Sequence, residues 1–465
     1  MTPHSSPEQA ALLTSLQSLV GEAAVVAWDA LAAADRSRFQ RAIDPNVPPV
    51  CLVTPPSVEA LQAVVRAAHQ HHWPILITGS GSKIGWGQPV PGAKILLSTA
   101  QLTRWVDHAV GDLTLTVEAG VPLATVQAKL AEVGQFLAID PLYAGTVGGL
   151  VATGAAGSLR QRYGGVRDMV LGVEFVRSDG EKAKAGGRVV KNVAGYDLMK
   201  LLTGSQGSLA ILTQVTLRLY PQPEQYQTQL LWGEGATVTA LAQKILGSTF
   251  SPVAIDLLSR SVLTALGWDT QAGDLGLCLR FGTLPAINTE QITEVAQLGA
   301  SQGLQSQAWG PASDPMTEAD LWRRIRHLMH PNGHPNGHPN PQSGAQNPPP
   351  ETVLLKVGVQ STQVGAALHQ LAQDWPDTTI AQFQAGSGVG YVRGPAAGVT
   401  PERLAQFRQF CQQHQGFVTV LEGPRSMKAA VDVWGYGGNA LGLMQAIKQQ
   451  FDPTGLLNPG RSVGG

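Results

Sequence analysis

The chain has 465 residues, of which 43% are hydrophobic and only 14% charged, so it can bury sizeable cores and is not a disordered chain. Its 32 Lys and Arg against 33 Asp and Glu give a net charge of -1, which argues against a large basic surface for nucleic acid. Cys51, Cys278 and Cys411 form no CxxC motif, which excludes an iron–sulfur cluster or structural zinc on this chain's own cysteines. The first Lys or Arg is Arg36, so we expect no secretory signal and a cytoplasmic location.

The N-terminal part shows helical and then mixed α/β patterns. In residues 1–45 apolar residues recur near helical spacing, which predicts a helical segment. Residues 50–53 and 74–78 are short apolar runs typical of strands. Ser57, between them, is suited to cap a helix, and the apolar positions after it have helical spacing: Leu61, Val64, Val65 and Ala68. Strand, helix and strand in this order predict a βαβ crossover.

The mixed pattern continues as far as Pro221 and Pro223. We predict a helix at 121–133 and strands at 95–97, 113–118, 169–177 and 209–219. Residues 113–118 alternate apolar and polar side chains, which indicates a strand with one solvated face. Because the two prolines interrupt the pattern, we place a domain boundary after residue 223. Residues 224–440 alternate Gln-rich helices with short strands, typical of a second α+β domain, and residues 441–465 are predicted to return to the first domain.

A tandem repeat, HPNGHPNGHPN, lies within residues 330–350. The histidines in it or beside it, His327, His330, His334 and His338, allow two interpretations, a metal site or a disordered loop. Proline, asparagine and glycine neither pack nor propagate a helix there, and nothing rigid fixes a ligand geometry. We therefore predict a disordered loop and no metal site.

A glycine-rich loop directly follows the strand predicted at 74–78. Residues 77–87 read ITGSGSKIGWG, in which the glycines let the backbone approach a ligand while two serines and Lys83 add donors. Consecutive amide N–H groups in such a turn form an anion nest suited to phosphate. The loop lacks the GKS or GKT of a Walker A motif, and Ile84 stands where GxGxxG requires glycine. A tight turn without a ligand is the alternative.

Three further segments combine small and polar residues. Residues 141–160 read PLYAGTVGGLVATGAAGSLR, and so few large side chains suit a flat ligand lying on the backbone. Close helix–sheet packing is the alternative for that segment. Residues 186–213 contain GGRVVKNVAGYDLMK and LTGSQGSLAILT, and residues 451–461 read FDPTGLLNPGR.

In this order, the four segments resemble the FAD-binding oxidoreductases of the vanillyl-alcohol-oxidase or PCMH type. The resemblance implies an α+β fold, with a PCMH-type FAD-binding domain of two α/β lobes at 46–223 and a second α+β cap domain. It implies non-covalent FAD, because the loop at 78–87 lacks the histidine that usually carries a covalent flavin. The positions that match the family's FAD contacts are Thr78, Gly79, Ser80, Gly81, Ser82, Lys83, Pro141, Thr146, Gly148, Gly149, Thr153, Gly157, Gly207, Ile211 and Asn458.

Within that family, VVKNVAGYDLMKLLTGSQGSL and RSMKAAVDVWG resemble the E-type FAD-binding subunits of bacterial glycolate oxidase. The resemblance implies a complex with a second, D-type flavin subunit and an F-type iron–sulfur subunit. It implies glycolate catabolism: oxidation of glycolate, or a similar 2-hydroxy acid, to glyoxylate or the matching 2-oxo acid. Electrons would leave through flavin to a quinone or similar acceptor, so at most peripheral contact with the membrane is expected. We expect no nucleic-acid partner.

The histidine-rich metal and substrate site of the catalytic relatives has no match here. The corresponding strand reads AGSGVGY at 385–391, and the later position reads LEGPR at 421–425. A 2-hydroxy acid needs a cation for its carboxylate and a base for its hydroxyl proton, and the sequence shows no such constellation. The catalytic residues are left open, with Lys191 near the flavin ring and Tyr391 and Arg425 on its open face as candidates. Two alternatives therefore stay open: a self-sufficient FAD-dependent dehydrogenase of the D-lactate type, and a non-catalytic scaffold subunit that has lost FAD.

Overall fold

The computed structural model describes residues 7–187, 195–268, 273–313, 316–330 and 351–463. Its strands are β1 (Val25–Ala27), β2 (Cys51–Val53), β3 (Ile75–Thr78), β4 (Ile95–Ser98), β5 (Trp105–Ala109), β6 (Thr114–Glu118), β7 (Gln135–Phe136), β8 (Val170–Val176), β9 (Lys182–Gly186), β10 (Ile211–Arg218), β11 (Tyr220–Pro221), β12 (Gln225–Gly233), β13 (Ala254–Ser259), β14 (Leu275–Thr283), β15 (Gln305–Trp309), β16 (Thr352–Gly358), β17 (Ile380–Gln384), β18 (Val389–Pro395) and β19 (Phe417–Glu422). Its helices are α1 (Pro7–Val20), α2 (Ala33–Gln40), α3 (Val58–His71), α4 (Leu123–Ala131), α5 (Val147–Thr153), α6 (Arg160–Tyr163), α7 (Val166–Met169), α8 (Leu198–Leu202), α9 (Gly235–Leu246), α10 (Arg260–Leu266), α11 (Pro285–Ala300), α12 (Glu318–Met329), α13 (Val364–Asp374), α14 (Pro401–Gln413), α15 (Arg425–Ala430) and α16 (Leu441–Phe451).

A small mixed sheet in the order β1-β2-β4-β3 contains the first α/β unit. Strands β2, β4 and β3 are parallel, as the predicted crossover requires. The Ser57 hydroxyl caps α3 by accepting from the Ala60 amide at 3.2 Å. Leu61 and Val64 on the apolar face of α3 are fully buried, so burial of this face fixes the helix against the sheet.

The N-terminal segment contains more than the helices predicted for residues 1–45. Helices α1 and α2 are present, but Val25–Ala27 forms strand β1 and pairs antiparallel with β2. Val25 and Val26 are β-branched and favour extended backbone. Their pairing covers the edge that the parallel strands would leave open. The segment is therefore helical with an added edge strand.

A second, antiparallel sheet has the order β5-β6-β10-β8-β9. The solvated face predicted for residues 113–118 is wrong, because every residue of β6 is buried. Thr116 and Thr216, on neighbouring strands, share a hydrogen bond of 3.0 Å between their hydroxyls. A cross-strand partner thus lets the polar face of β6 be buried without an unsatisfied group.

The largest sheet is antiparallel, in the order β15-β12-β14-β13-β17-β18-β16-β19. Apolar residues of α9, α13 and α14 pack on one face, and those of α10 and α12 pack with residues of the other face. Strand β12, at Gln225, is its first strand in the chain. The division of the chain after residue 223 stays a prediction.

The segment that follows α16 returns to the small sheet. The Ile75 amide donates to the Leu456 carbonyl at 2.8 Å, and the Asn458 amide donates to the Ile75 carbonyl at 2.9 Å. Residues 456–458 therefore run along the free edge of β3. The loop predicted as disordered spans residues 330–350. His330 is described and buried, whereas residues 331–350 and Lys191 lie outside the described residues.

Candidate functional site

A cleft of about 690 Å³ lies where β3, α5, the start of β10 and the C-terminal segment meet. It joins residues that are far apart in the chain: Ile77, Thr78, Gly79, Ser80, Gly81, Ser82, Lys83, Ile84, Thr99, Thr146, Gly148, Gly149, Ala152, Thr153, Gln206, Gly207, Ala210, Ile211, Leu212, Asn458 and Arg461.

Close backbone packing forms the wall of the cleft that belongs to α5. Thr146 caps the helix, since its hydroxyl accepts from the Gly149 amide at 3.2 Å. A Cβ on Gly79 would lie 2.2 Å from the Thr146 hydroxyl, and one on Gly148 would lie 2.7 Å from the Ala119 Cβ. Glycine at 79 and 148 therefore lets the loop and the helix approach their neighbours more closely than any other residue would permit.

The glycine-rich loop also packs against helix α2. Gly81 has a φ of +76°, and a Cβ on it would lie 2.9 Å from the Arg38 Cδ. The Arg38 guanidinium donates to the Ser80 carbonyl at 3.4 Å. Gly81 thus serves a left-handed turn and a contact with α2, which places the loop at the mouth of the cleft.

Two cations from the C-terminal part of the chain hold the carbonyls of residues 84–87. The buried Arg461 guanidinium donates to the carbonyls of Ile84 and Trp86. The buried Lys428 ammonium donates to the carbonyls of Gly85, Gly87 at 3.0 Å and Leu421 at 3.2 Å. Burial lowers the pKa of Lys428 to about 7. These contacts fix the far end of the loop.

Lys83 differs from Lys428 in the partners of its ammonium group. It is also buried and lines the cleft, and burial lowers its pKa to about 8. A Cβ on Gly145 would lie 3.2 Å from its Nζ. No residue in the described ranges gives that Nζ a hydrogen bond or an ion pair. Lys83 is therefore a buried cation that faces ligand space.

Most positions that match the family's FAD contacts lie in this cleft. Two of them, Pro141 and Gly157, do not line it. Gly157 lines a second, smaller cavity of about 320 Å³, together with Asp140, Leu142, Ser158, Arg326, Gln382, Gln384, Val389, Gly390 and Tyr391. Sequence reasoning missed Arg326 and Asp140, because no local pattern marks them and distant elements bring them together. Arg461 ends the FDPTGLLNPGR segment but was not among the predicted contacts.

The second cavity is lined by residues of α12, of the large sheet and of the segment at 156–158. Four side chains of the large sheet take part in contacts with that segment. The Tyr391 hydroxyl donates to the Ala156 carbonyl at 3.2 Å, and the Gln384 amide donates to the Gly157 carbonyl at 2.9 Å. The Ser158 hydroxyl donates to the Asp256 carboxyl, to which Gln382 also donates at 2.7 Å. We call these contacts the 156–158 clasp.

Electrostatics distinguish the groups around this cavity. Burial raises the pKa of Asp256 to about 7, against the opposing hydrogen bonds from Ser158 and Gln382. Desolvation likewise raises the pKa of Asp140, whose Oδ1 accepts from the Leu159 amide at 3.0 Å. Arg326 is half-buried, and within the described part of the chain no residue forms an ion pair or hydrogen bond with its guanidinium. The cavity therefore offers one cation and one carboxyl group to a small polar ligand.

Of the three candidates for catalysis, Tyr391 and Arg425 lie apart, and Lys191 lies outside the described residues. Tyr391 lines the second cavity, where burial raises its pKa to about 12. Arg425 donates to the Ile43 carbonyl at 2.9 Å and lies 3.4 Å from Asp44, so it ties α15 to the N-terminal segment and lines neither cavity. The described residues contain no group of three or more His, Cys, Asp and Glu that could hold a metal ion.

The main cleft fits FAD. None of its described lining residues is Asp or Glu, so no carboxylate would repel a diphosphate. Lys83 supplies a buried positive charge that no residue of the described ranges pairs with, and the glycines bring backbone to the surface. The loop, α5, the strand after Gly207 and Asn458 would hold the dinucleotide.

Comparisons with known proteins agree. Residues 49–186 match the protein family described as "FAD binding domain", and residues 427–462 match the family described as "FAD linked oxidases, C-terminal domain". The chain is 39% identical over 168 residues to glycolate oxidase subunit GlcE of Escherichia coli, a match that covers 36% of this chain and 47% of that protein. It is 25% identical to glycolate oxidase subunit GlcD of Bacillus subtilis, over 89% of this chain and 88% of that one. It is 26% identical to D-2-hydroxyglutarate dehydrogenase of Xanthomonas citri, over 89% of each chain.

Solved structures share the fold. A 4-ethylphenol oxidase from Gulosibacter chungangensis superposes with a TM-score of 0.72 at 19% identity, covering 99% of this chain and 98% of that chain. A p-cresol methylhydroxylase superposes with a TM-score of 0.70 at 17% identity, covering 99% and 97%. No described helix is both long enough and apolar enough to cross a bilayer. The α+β chain therefore carries an FAD-binding domain at residues 49–186 and an FAD-linked oxidase C-terminal domain at residues 427–462, and it has the fold of the PCMH-type flavoenzymes.

Proposed function

We propose that this chain is the E-type flavin subunit of a glycolate oxidase complex, which oxidises glycolate or a similar 2-hydroxy acid to the 2-oxo acid. The carrying observation is the cleft, which joins four separated segments into one site with an unpaired buried cation among the described residues. The match to GlcE supports the complex, and the matches to GlcD and D-2-hydroxyglutarate dehydrogenase support the substrate class. Its partners are a D-type flavin subunit and an F-type iron–sulfur subunit.

The chain's own residues divide the work between the two cavities. Bound FAD supplies the two-electron acceptor for the hydride that leaves the carbinol carbon. The 77–87 loop and Lys83 bind the diphosphate, and Asn458 fixes the floor of the cleft. In the second cavity, Arg326 binds the substrate carboxylate and Asp140 takes the hydroxyl proton.

A self-sufficient dehydrogenase of the D-lactate type is the second candidate. The full-length similarity to D-2-hydroxyglutarate dehydrogenase favours it, because that relative is named for a dehydrogenase and not for a subunit. In either case we place the protein in the cytoplasm, with peripheral membrane contact only through partners.

The test starts with the purified full chain. We expect a yellow protein with bound flavin, and slow flavin reduction by glycolate in the absence of partners. Adding the D-type and F-type subunits should restore fast electron transfer to a quinone, and both should co-elute with an affinity tag on this chain. Fast anaerobic bleaching of the chain alone by glycolate or D-lactate would favour the self-sufficient dehydrogenase. A colourless protein that takes up no added FAD would leave only the scaffold role.

A further inference from the structure

Two buried lysines lie beside the glycine-rich loop, and their surroundings differ. Lys428 donates to three backbone carbonyls, and so its ammonium is fully used within the protein. Lys83 is 8% exposed, lines the cleft, and has no hydrogen-bond or ion-pair partner among the residues that the structure describes. A buried ammonium without an anion is costly, so its position is best explained by a ligand that supplies the negative charge.

Among the described residues, the carboxylates near the loop of Lys83 are paired with arginines: Asp35 lies 3.2 Å from Arg38, and Glu422 lies 3.7 Å from Arg41. Arg461 lines the cleft from the C-terminal segment, and its guanidinium is committed to the carbonyls of Ile84 and Trp86. Arg38 and Arg41, on or beside α2, contact the loop from its other side at Gly81 and Gly85. No Asp or Glu is among the described lining residues, and burial is the cause that depresses the pKa of Lys83.

From this arrangement we infer that Lys83 is the ammonium that neutralises the FAD diphosphate, and that the chain takes up a proton through Lys83 when FAD binds in mildly alkaline solution. The inference rests on the FAD-binding role proposed above and adds a proton linkage to it. The anion favours the charged lysine, so the pKa of Lys83 rises on binding.

The direction in which FAD affinity changes with pH follows from the linkage between proton binding and FAD binding. Below a pH of about 8 the free protein already carries the charged lysine, and FAD affinity is independent of pH. Above it, the free lysine is neutral while the bound one is charged, so each further pH unit weakens binding by up to about tenfold.

The experiment measures the dissociation constant of FAD for the apo-protein by flavin fluorescence quenching between about pH 7 and about pH 9.5, a range that spans the Lys83 transition. Wild type should bind more weakly as the pH rises above 8. Lys83→Met should weaken binding about 10- to 100-fold at pH 7, the usual value of a charge-assisted hydrogen bond, and should lose the pH dependence. Lys83→Arg keeps its charge over the whole range and should also be flat with pH.

Calorimetry in two buffers of different ionisation enthalpy, at about pH 8.5, gives a second readout by counting protons directly. Wild type should take up a fraction of a proton, and Lys83→Met should take up none. Lys129→Met, an exposed lysine on α4, is the matched control and should keep both the affinity and the pH slope. Two results overturn this inference but leave the proposed function standing: an equal change of FAD affinity with pH in wild type and Lys83→Met, or a wild-type protein that binds FAD with an affinity independent of pH. Failure of wild type to bind FAD at any pH overturns the proposed function as well.

Discussion

Asn458 shows how one residue can join two segments of the cleft. It is buried and has a φ of +44°, a left-handed conformation that asparagine tolerates better than most residues. Its Oδ1 accepts from the Ile77 amide at 2.7 Å, and its Nδ2 donates to the Gln206 carbonyl at 2.6 Å. The side chain therefore ties β3 to the turn before β10, with the cleft between them.

We expect Asn458→Ala to lower the free energy of unfolding by about 2–4 kcal/mol, because it orphans two buried backbone groups and places alanine in a left-handed turn. Flavin content should fall with it. Urea unfolding and the flavin-to-protein absorbance ratio measure both effects. Asn458→Asp keeps the acceptor for Ile77 but adds a negative charge near the diphosphate, so it should lose flavin more than stability. If Asn458→Ala and Asn458→Asp lost the same amount of stability and the same amount of flavin, Asn458 would not have the proposed role of joining the two segments of the cleft.

At the scale of single elements, helix α5 shows how two adjacent glycines can have different roles. Its first turn contains two adjacent glycines with different surroundings: a Cβ on Gly148 would lie 3.0 Å from the Ala119 carbonyl, whereas one on Gly149 would meet only the Thr146 hydroxyl, at 3.2 Å. Gly148 is therefore required by helix–sheet packing, whereas an alanine at 149 needs only a shift of a few tenths of an ångström by the Thr146 side chain.

We expect Gly148→Ala to destabilise the protein by about 1–3 kcal/mol, since α5 must move away from the strand that ends at Glu118. Gly149→Ala should leave stability unchanged or raise it by up to about 1 kcal/mol, the usual gain of alanine over glycine in a helix. Thermal unfolding of both variants without flavin separates packing from ligand effects. A destabilised Gly149→Ala beside an unaffected Gly148→Ala would reverse the assignment.

Elements were predictable from sequence where the signal is local. The apolar spacing of α3 and its Ser57 cap predict that helix, and the glycine-rich segments contribute lining residues to the main cleft. The alternation at 113–118 led to the wrong prediction of a solvated face, because a threonine can be buried when its hydroxyl bonds to a threonine on the next strand. Arg326 and Asp140 had no local signal, since only the packing of α12 and the large sheet near the 140s brings them to one cavity.

At the scale of the whole molecule, the 156–158 clasp connects the large sheet to the glycine-rich segment. Asp256 is fully buried in it, and burial raises its pKa to about 7. In the unfolded chain an aspartate titrates near pH ~3.9. Between these values the folded protein holds a proton that the unfolded chain has released, so the Asp256 contribution to stability is present below about pH 4 and is lost as the pH rises towards 7.

We expect Asp256→Asn, which cannot ionise, to gain stability relative to wild type by up to about 1.4 kcal/mol per pH unit between about pH 4 and about pH 7. Urea unfolding of both proteins at several pH values measures the difference. Asp374→Asn, on the exposed end of α13, is the control and should show no such trend. A constant difference between Asp256→Asn and wild type over this range would show that Asp256 is ionised in the folded protein.

The edge position of residues 456–458 along β3 has a consequence for biosynthesis. The main cleft takes one wall from residues near 80 and another from Asn458 and Arg461, and the whole large sheet is translated between them. A nascent chain therefore cannot capture its cofactor while the ribosome is still making the large sheet. We therefore expect full flavin affinity only after the C-terminal segment has been made.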